Sequence, residues 1–180
     1  MRMLATKNPP AARGGARLAL TLLPLCLLLC GFFWNTLTWE KINRAIDKEF
    51  GDVPQIGADA AWQLSQQHGQ AVFIDVRSPE EYGISHLPGA VNIEDPAKVE
   101  LAPGTTVIAY CSVGWRSAIF TRSLLKKGFA HAFSMRGSIF EWANKGYPLR
   151  RGEEPARTVH PYSKKWGVLL RPELRYELKK

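Results

Sequence analysis

VIAYCSVGWRS, residues 107 to 117, begins as an apolar, partly β-branched run and ends as a short polar loop headed by Cys111 and closed by Arg116 and Ser117. The apolar part, residues 106 to 110, is short and continuous, and the turn residues Pro103 and Gly104 stand before it. It therefore reads as a buried parallel strand. The following SAIFTRSLLKKG places Ala118, Thr121 and Leu125 on one helical face and pairs Phe120 with Leu124. Lys126 and Lys127 fill its last turn and Gly128 ends it. The loop thus joins a strand to a helix.

That position has chemical consequences. The first amides of a helix lack internal partners and point, with the positive end of the helix dipole, into the loop. A Cys111 thiolate there is expected to have a lowered pKa and to be nucleophilic without a separate general base. Gly114 can take a positive φ and turn its amide inward, as an anion-binding nest requires. Arg116 adds a fixed charge. On these residues alone, a buried cysteine that merely precedes a helix remains an alternative.

Three stretches in register separate the two readings. CSVGWRS resembles the active-site loop of the rhodanese-like sulfurtransferases: a cysteine, four variable residues that usually include a glycine, then Arg and Ser or Thr. FIDVRSPEEYGISHLPGAVNI resembles the first signature of that family through Asp75, Val76, Arg77, Glu81, Tyr82, His86, Pro88, Gly89 and Ala90. MRGSIFEWANKGYPL resembles the second through Gly137, Trp142, Gly146 and Pro148. The likeness covers roughly residues 53 to 151.

The resemblance implies a mechanism. Cys111 takes the sulfane sulfur of a small anionic donor such as thiosulfate, forms a persulfide, and passes the sulfur to a thiol or to cyanide. The loop Ser112, Val113, Gly114, Trp115, Arg116 and Ser117 would hold the persulfide anion by the logic of an oxyanion hole, with Arg116 attracting the donor. Asp75 and Arg77 are supporting residues, Asp75 orienting the loop or holding Arg77. Glu81 and His86 read as framework, Trp142 as core, and Trp115 as a residue at the pocket rim. No metal or organic cofactor is required. Ser112, and the lack of a Gly-Val-Thr ending, depart from the mercaptopyruvate-using branch and favour thiosulfate. Two other classes are a non-catalytic binding module at the membrane and a phosphatase or arsenate reductase of the same fold. Families of the latter kind place the arginine six positions after the cysteine, whereas here position 117 is serine.

Around this loop, residues 52 to 151 read as one α/β domain of rhodanese-like fold. Expected elements are a helix over 58 to 68, a strand over 71 to 75, a helical turn over 79 to 82, a small strand over 91 to 93, a strand over 130 to 134 and a helix over 138 to 144. The alternation predicts a central, mostly parallel sheet with helices on both faces. Asp75 and Cys111 then lie at the carboxyl ends of strands, where such sheets bind ligands.

The net charge of +8 belongs to the ends of the chain. Residues 1 to 51 carry +4 and residues 152 to 180 carry +3, leaving the domain at +1. That distribution gives no ground for a nucleic-acid partner. Residues 1 to 17 form a basic lead expected to stay cytoplasmic, and residues 18 to 34 are an uncharged run long enough for a transmembrane signal anchor. Leu29 stands where a lipobox before Cys30 would need a small residue. The domain is therefore expected on the outer, periplasmic side, with secretion after signal cleavage as the alternative. Cys111 is the one cysteine outside the apolar run, which excludes an internal disulfide framework. Residues 35 to 51 read as a juxtamembrane helix and linker. Residues 152 to 180 read as a basic-aromatic tail, part of which packs back on the domain.

Overall fold

β4 (Val107–Tyr110) is the middle strand of a five-stranded parallel sheet, and all four of its residues are fully buried. The computed structural model describes residues 37 to 67, 69, 71 to 102 and 104 to 178. In chain order its main elements are α1 (Trp39–Glu49), β1 (Gln55–Ile56), α2 (Ala58–Ser65), β2 (Val72–Asp75), α3 (Pro79–Ile84), β3 (Val91–Asn92), β4, α4 (Trp115–Lys126), β5 (Ala132–Met135), α5 (Ser138–Asn144), β6 (Leu149–Arg151), β7 (Glu154–Ala156) and α6 (Lys164–Gly167). The sheet order is β1-β5-β4-β2-β3. Asp75 pairs in register with Tyr110, and Ala109 with Ser134.

Side chains alternate across a pleated sheet, so a strand covered on both faces needs an unbroken apolar sequence. Ile108 and Tyr110 join Phe73 and residues of α1, α2 and α5 in one core cluster. Val107 and Ala109 join Ile74 and, from α4, Phe120 and Leu124 in the other. The expected mostly parallel sheet with helices is therefore the observed one.

Some boundaries differ from expectation. α2 closes at Ser65, short of residue 68. β5 begins at Ala132 because the preceding residues are taken up by a turn, with the Ala130 amide donating to Gly128 and the Ala132 amide to Phe129. β1, two residues long, and the antiparallel β6–β7 hairpin carry too little sequence pattern to be foreseen.

A larger correction concerns residues 35 to 51. The helix forms where Trp39, Ile42, Ile46 and Phe50 repeat at helical spacing, with Thr38 as its cap. It is no free connector, however, because Ile42, Ile46 and Phe50 are buried in the core. Arg122 of α4 donates to the Asp52 carboxylate and the Glu49 carbonyl, and Arg136 pairs with Asp47. An amphipathic helix next to an apolar cluster gains more by burying its stripe than by leaving it in water. The compact unit that holds the domain therefore includes α1.

The basic lead, residues 1 to 17, and the anchor, residues 18 to 34, lie outside the described residues. Among the described residues no helix is long and apolar enough to cross a membrane. The tail folds against the domain. Val159, Leu169 and Leu170 are buried, and Asn144 of α5 donates to the Leu169 carbonyl while accepting from the Arg171 amide.

Candidate active site

Beyond Tyr110 the chain leaves the sheet, and its next two carbonyls are claimed by α5. The amides of Ile139 and Phe140 donate to the carbonyls of Cys111 and Ser112, each at 3.2 Å. The Cys111 amide donates to Ser138 Oγ at 3.1 Å, and that hydroxyl donates to the Met135 carbonyl at 2.9 Å. Ser138 sits at φ +48° directly after Gly137 at φ +68°. A side chain rarely adopts that region, and here the strain is held by the contacts that fix the cysteine.

Gly114 completes the turn at φ +115° and sends its amide to Cys111 Sγ at 3.2 Å. A Cβ at this position would also stand 3.3 Å from Ile46 Cδ1 of α1. Ser117 Oγ and Ser138 Oγ lie 3.8 and 3.9 Å from the sulfur. Residues 115 to 117 open α4, where amides have no carbonyl one turn before them. The sulfur thus accepts the Gly114 amide at a helix start, an arrangement that favours negative charge on it and on an atom bonded to it.

Cys111, only 1% exposed, forms the floor of a pocket of about 400 Å³ lined by Ser112, Val113, Trp115, Arg116, Tyr162 and Trp166. Arg116, expected to add a fixed charge to the loop, is held in an ion pair. Its guanidinium makes two 2.8 Å bonds to the Glu81 carboxylate and one of 3.0 Å to Ser112 Oγ. Ser112 Oγ in turn donates to Glu81 at 3.2 Å. Burial pushes the Glu81 carboxyl up. The Arg116 hydrogen bonds and the charges of Arg116 and Arg77 outweigh it and hold the group below the ordinary range. Glu81 also closes a capping box with Ser78 at the start of α3.

Asp75 and Arg77 form a completely buried ion pair. Asp75 accepts from the Arg77 backbone, Nε and Nη2, and Arg77 Nη2 reaches the Ser85 carbonyl. They brace the end of β2 against the segment after α3 and do not line the Cys111 pocket. His86 stacks on Tyr82 with ring centroids 4.1 Å apart, beside a separate cavity. Among the described residues no group of three His, Cys, Asp or Glu side chains is placed to hold a metal ion.

Four site residues escape sequence reasoning. Glu81 is legible as a capping-box glutamate, but not as the partner of an arginine 35 positions away. Ser138 carries no local signal, since its role is a contact to the Cys111 backbone. Tyr162 and Trp166 stand out as tail aromatics with no clue that they reach the pocket.

A parallel α/β sheet with a cysteine loop between its central strand and the next helix defines a class of thiol-nucleophile domains. Residues 58 to 145 match the family model of the rhodanese-like domain, and over that segment the chain belongs to this family. It is 39% identical over 71 residues to a tRNA sulfurtransferase of Desulfurococcus amylolyticus, an alignment covering 39% of the chain and 14% of that protein. It is 26% identical over 101 residues to a sulfurtransferase of Allochromatium vinosum, covering 54% of the chain and 94% of the relative. The chain spans only 14 to 21% of the length of the first curated relatives it matches. The crystal structure of a thiosulfate sulfurtransferase from Pseudomonas aeruginosa shares the fold, with a TM-score of 0.54 at 24% identity over 73% of this chain and 26% of that one.

Proposed function

We propose that the protein is a sulfurtransferase that carries sulfane sulfur on Cys111. The observation that carries this reading is the Gly114 amide held 3.2 Å from Sγ at the start of α4, with the Ser117 and Ser138 hydroxyls behind it. In the forward step the Cys111 thiolate attacks the sulfane sulfur of a donor such as thiosulfate. The sulfur–sulfur bond of the donor breaks, sulfite leaves with the electron pair, and a persulfide remains on Cys111. An acceptor, cyanide in the test tube or a thiol in the cell, then attacks the outer sulfur and releases the thiolate. Donors at the helix start offset the anionic charge of the persulfide.

The phosphatase or arsenate reductase alternative is disfavoured by Arg116. It stands five positions after Cys111 and is tied to Glu81, so it does not encircle a tetrahedral oxyanion. A purely docking module would not need a cysteine at the floor of the pocket. Residues 18 to 34 are read as a membrane anchor that leaves the domain on the outer side.

Mass spectrometry of the purified protein after thiosulfate treatment tests the central claim. One added sulfur is expected on the Cys111 peptide, and Cys111→Ser is expected to abolish transfer to cyanide while keeping the cooperative unfolding of the parent. Turnover retained by the serine variant would sink the mechanism.

A further inference from the structure

Two of the seven residues that line the pocket over Cys111 come from a part of the chain outside the family match. Tyr162 and Trp166 of the tail line it with Val113 and Trp115. Their placement is structural, not incidental. Tyr162 sits at φ +62°, its amide donating to His160 Nδ1 at 3.1 Å, and its ring lies 5.0 Å from the Arg116 guanidinium. Trp166 belongs to α6, capped by Ser163, and packs on the core cluster that contains Val159, Leu169 and Leu170. Yet Trp115 and Tyr162 remain 40% and 52% exposed, so aromatic surface is left open above a nucleophile that is itself almost covered.

The charge in the pocket points the same way. Among the described residues Arg116 is the one cation of its lining; it donates two bonds to the Glu81 carboxylate and is faced by the Tyr162 ring. A small inorganic dianion meets in Arg116 a side-chain charge already paired with Glu81, and it fills little of about 400 Å³. A ring-sized apolar body suits both the volume and the lining, since ligand pockets take their affinity from apolar contact and their orientation from a few polar groups.

We infer that Trp115, Tyr162 and Trp166 select an organic sulfane-sulfur carrier with a ring-sized apolar group, an aryl or comparably bulky persulfide, in preference to thiosulfate. This rests on the reading of Cys111 as the sulfur-carrying nucleophile. In the step, Sγ forms a bond to the outer sulfur of R–S–SH and the carrier's sulfur–sulfur bond breaks. The electron pair leaves on R–S⁻, which takes up, through solvent, the proton that the outer sulfur carried, and the persulfide anion stays on Cys111. The transferred sulfur keeps its oxidation state, so no external oxidant or reductant is involved.

Benzenethiosulfonate and methanethiosulfonate form a matched pair of probes, because they share charge and reacting atom and differ in the ring. Values of kcat/KM for the full chain with cyanide as acceptor are divided by the rates of the uncatalysed transfers, which removes the difference in leaving group. The normalised preference for the aryl donor is expected to be about tenfold, equivalent to about 1.4 kcal/mol. Trp166→Ala should bring it below about threefold, and Trp166→Phe should keep most of it. A wild-type ratio near one, or a ratio that Trp166→Ala leaves in place, overturns the inference. Sulfur loading separates the two claims. One added sulfur on Cys111 from both donors with a ratio of one removes only the substrate class, whereas no loading from either removes the transfer reading and this inference together.

Discussion

Glu81→Gln tests whether the Cys111 loop is held by its charge pair. The Glu81 carboxylate accepts two bonds from Arg116, one from Ser112 Oγ and one from the Ser78 amide. Its side chain is 5% exposed and that of Arg116 35%. Removing one partner of a fully buried pair costs about 3–5 kcal/mol. Solvent can rehydrate the partly open guanidinium, which draws the cost toward the range of about 0–1 kcal/mol seen for surface pairs. An intermediate loss of about 2 kcal/mol is expected at pH 7, read as a lower urea midpoint at unchanged slope.

The same variant makes a pH prediction. The native Glu81 pKa lies below the ordinary value, despite burial, because Arg116 and Arg77 favour the carboxylate. Between the two values the unfolded chain binds a proton that the native state does not. The group therefore contributes its stability in full above the unfolded value of about 4.3, and loses it as the pH falls through the native value. Other carboxylates cancel in the difference between the two proteins, and a protonated glutamate is nearly the same shape as glutamine. The gap between wild type and variant should be widest at neutral pH and close as the pH falls through the lowered native value. A gap under about 0.5 kcal/mol at pH 7, or one that persists unchanged into acid, would refute the argument that the pair holds the loop.

Gly114→Ala should cost about 1–2 kcal/mol for the left-handed backbone alone, and the 3.3 Å approach to Ile46 Cδ1 adds to it. Sulfur transfer should fall steeply, and a wild-type rate would show that the loop does not need this conformation. For topology, alkaline phosphatase fused after Lys180, past the packed tail, should be active in a bacterial host, while a fluorescent protein that folds only in the cytoplasm should be dark at that junction. Deleting residues 1 to 34 should release the domain from membranes washed in high salt, and a bright cytoplasmic reporter would overturn the orientation.

What the sequence revealed and what it hid differ in the range of the interactions involved. The strand at β4 is legible because burial on both faces forces an unbroken apolar run, and the helix start after Cys111 is legible because Gly114 and the polar loop are local signals. α5 could be placed to the residue by its own composition. By contrast, the links that position the cysteine join residues far apart in the chain: Cys111 to Ser138, Ser112 to Glu81, Arg116 to Glu81. Nothing near Glu81 says that Arg116 will arrive, so in sequence Arg116 reads as a fixed charge with no partner named. The helix of residues 39 to 49 was recognisable by its period, but a period gives an apolar stripe without saying what covers it.

The two ends of the folded unit, both outside the 58 to 145 match, meet the loop from different sides. Ile46 of α1 approaches Gly114, and Phe50, just past the end of α1, stands edge-on to Trp115 at 5.0 Å while the Arg122 guanidinium lies 4.6 Å over the Phe50 ring. From the tail, Tyr162 and Trp166 raise the pocket wall. The family segment thus supplies Cys111 and the loop that sends the Gly114 amide to its sulfur. α1 fixes Trp115, and the tail adds the rings beside it. Because those rings touch neither Sγ nor the loop amides in any hydrogen bond described, they cannot set the intrinsic reactivity of Cys111. They line the way to it, so the preference inferred above would be set jointly by Tyr162 and Trp166, outside the 58 to 145 match, and by Trp115, inside it.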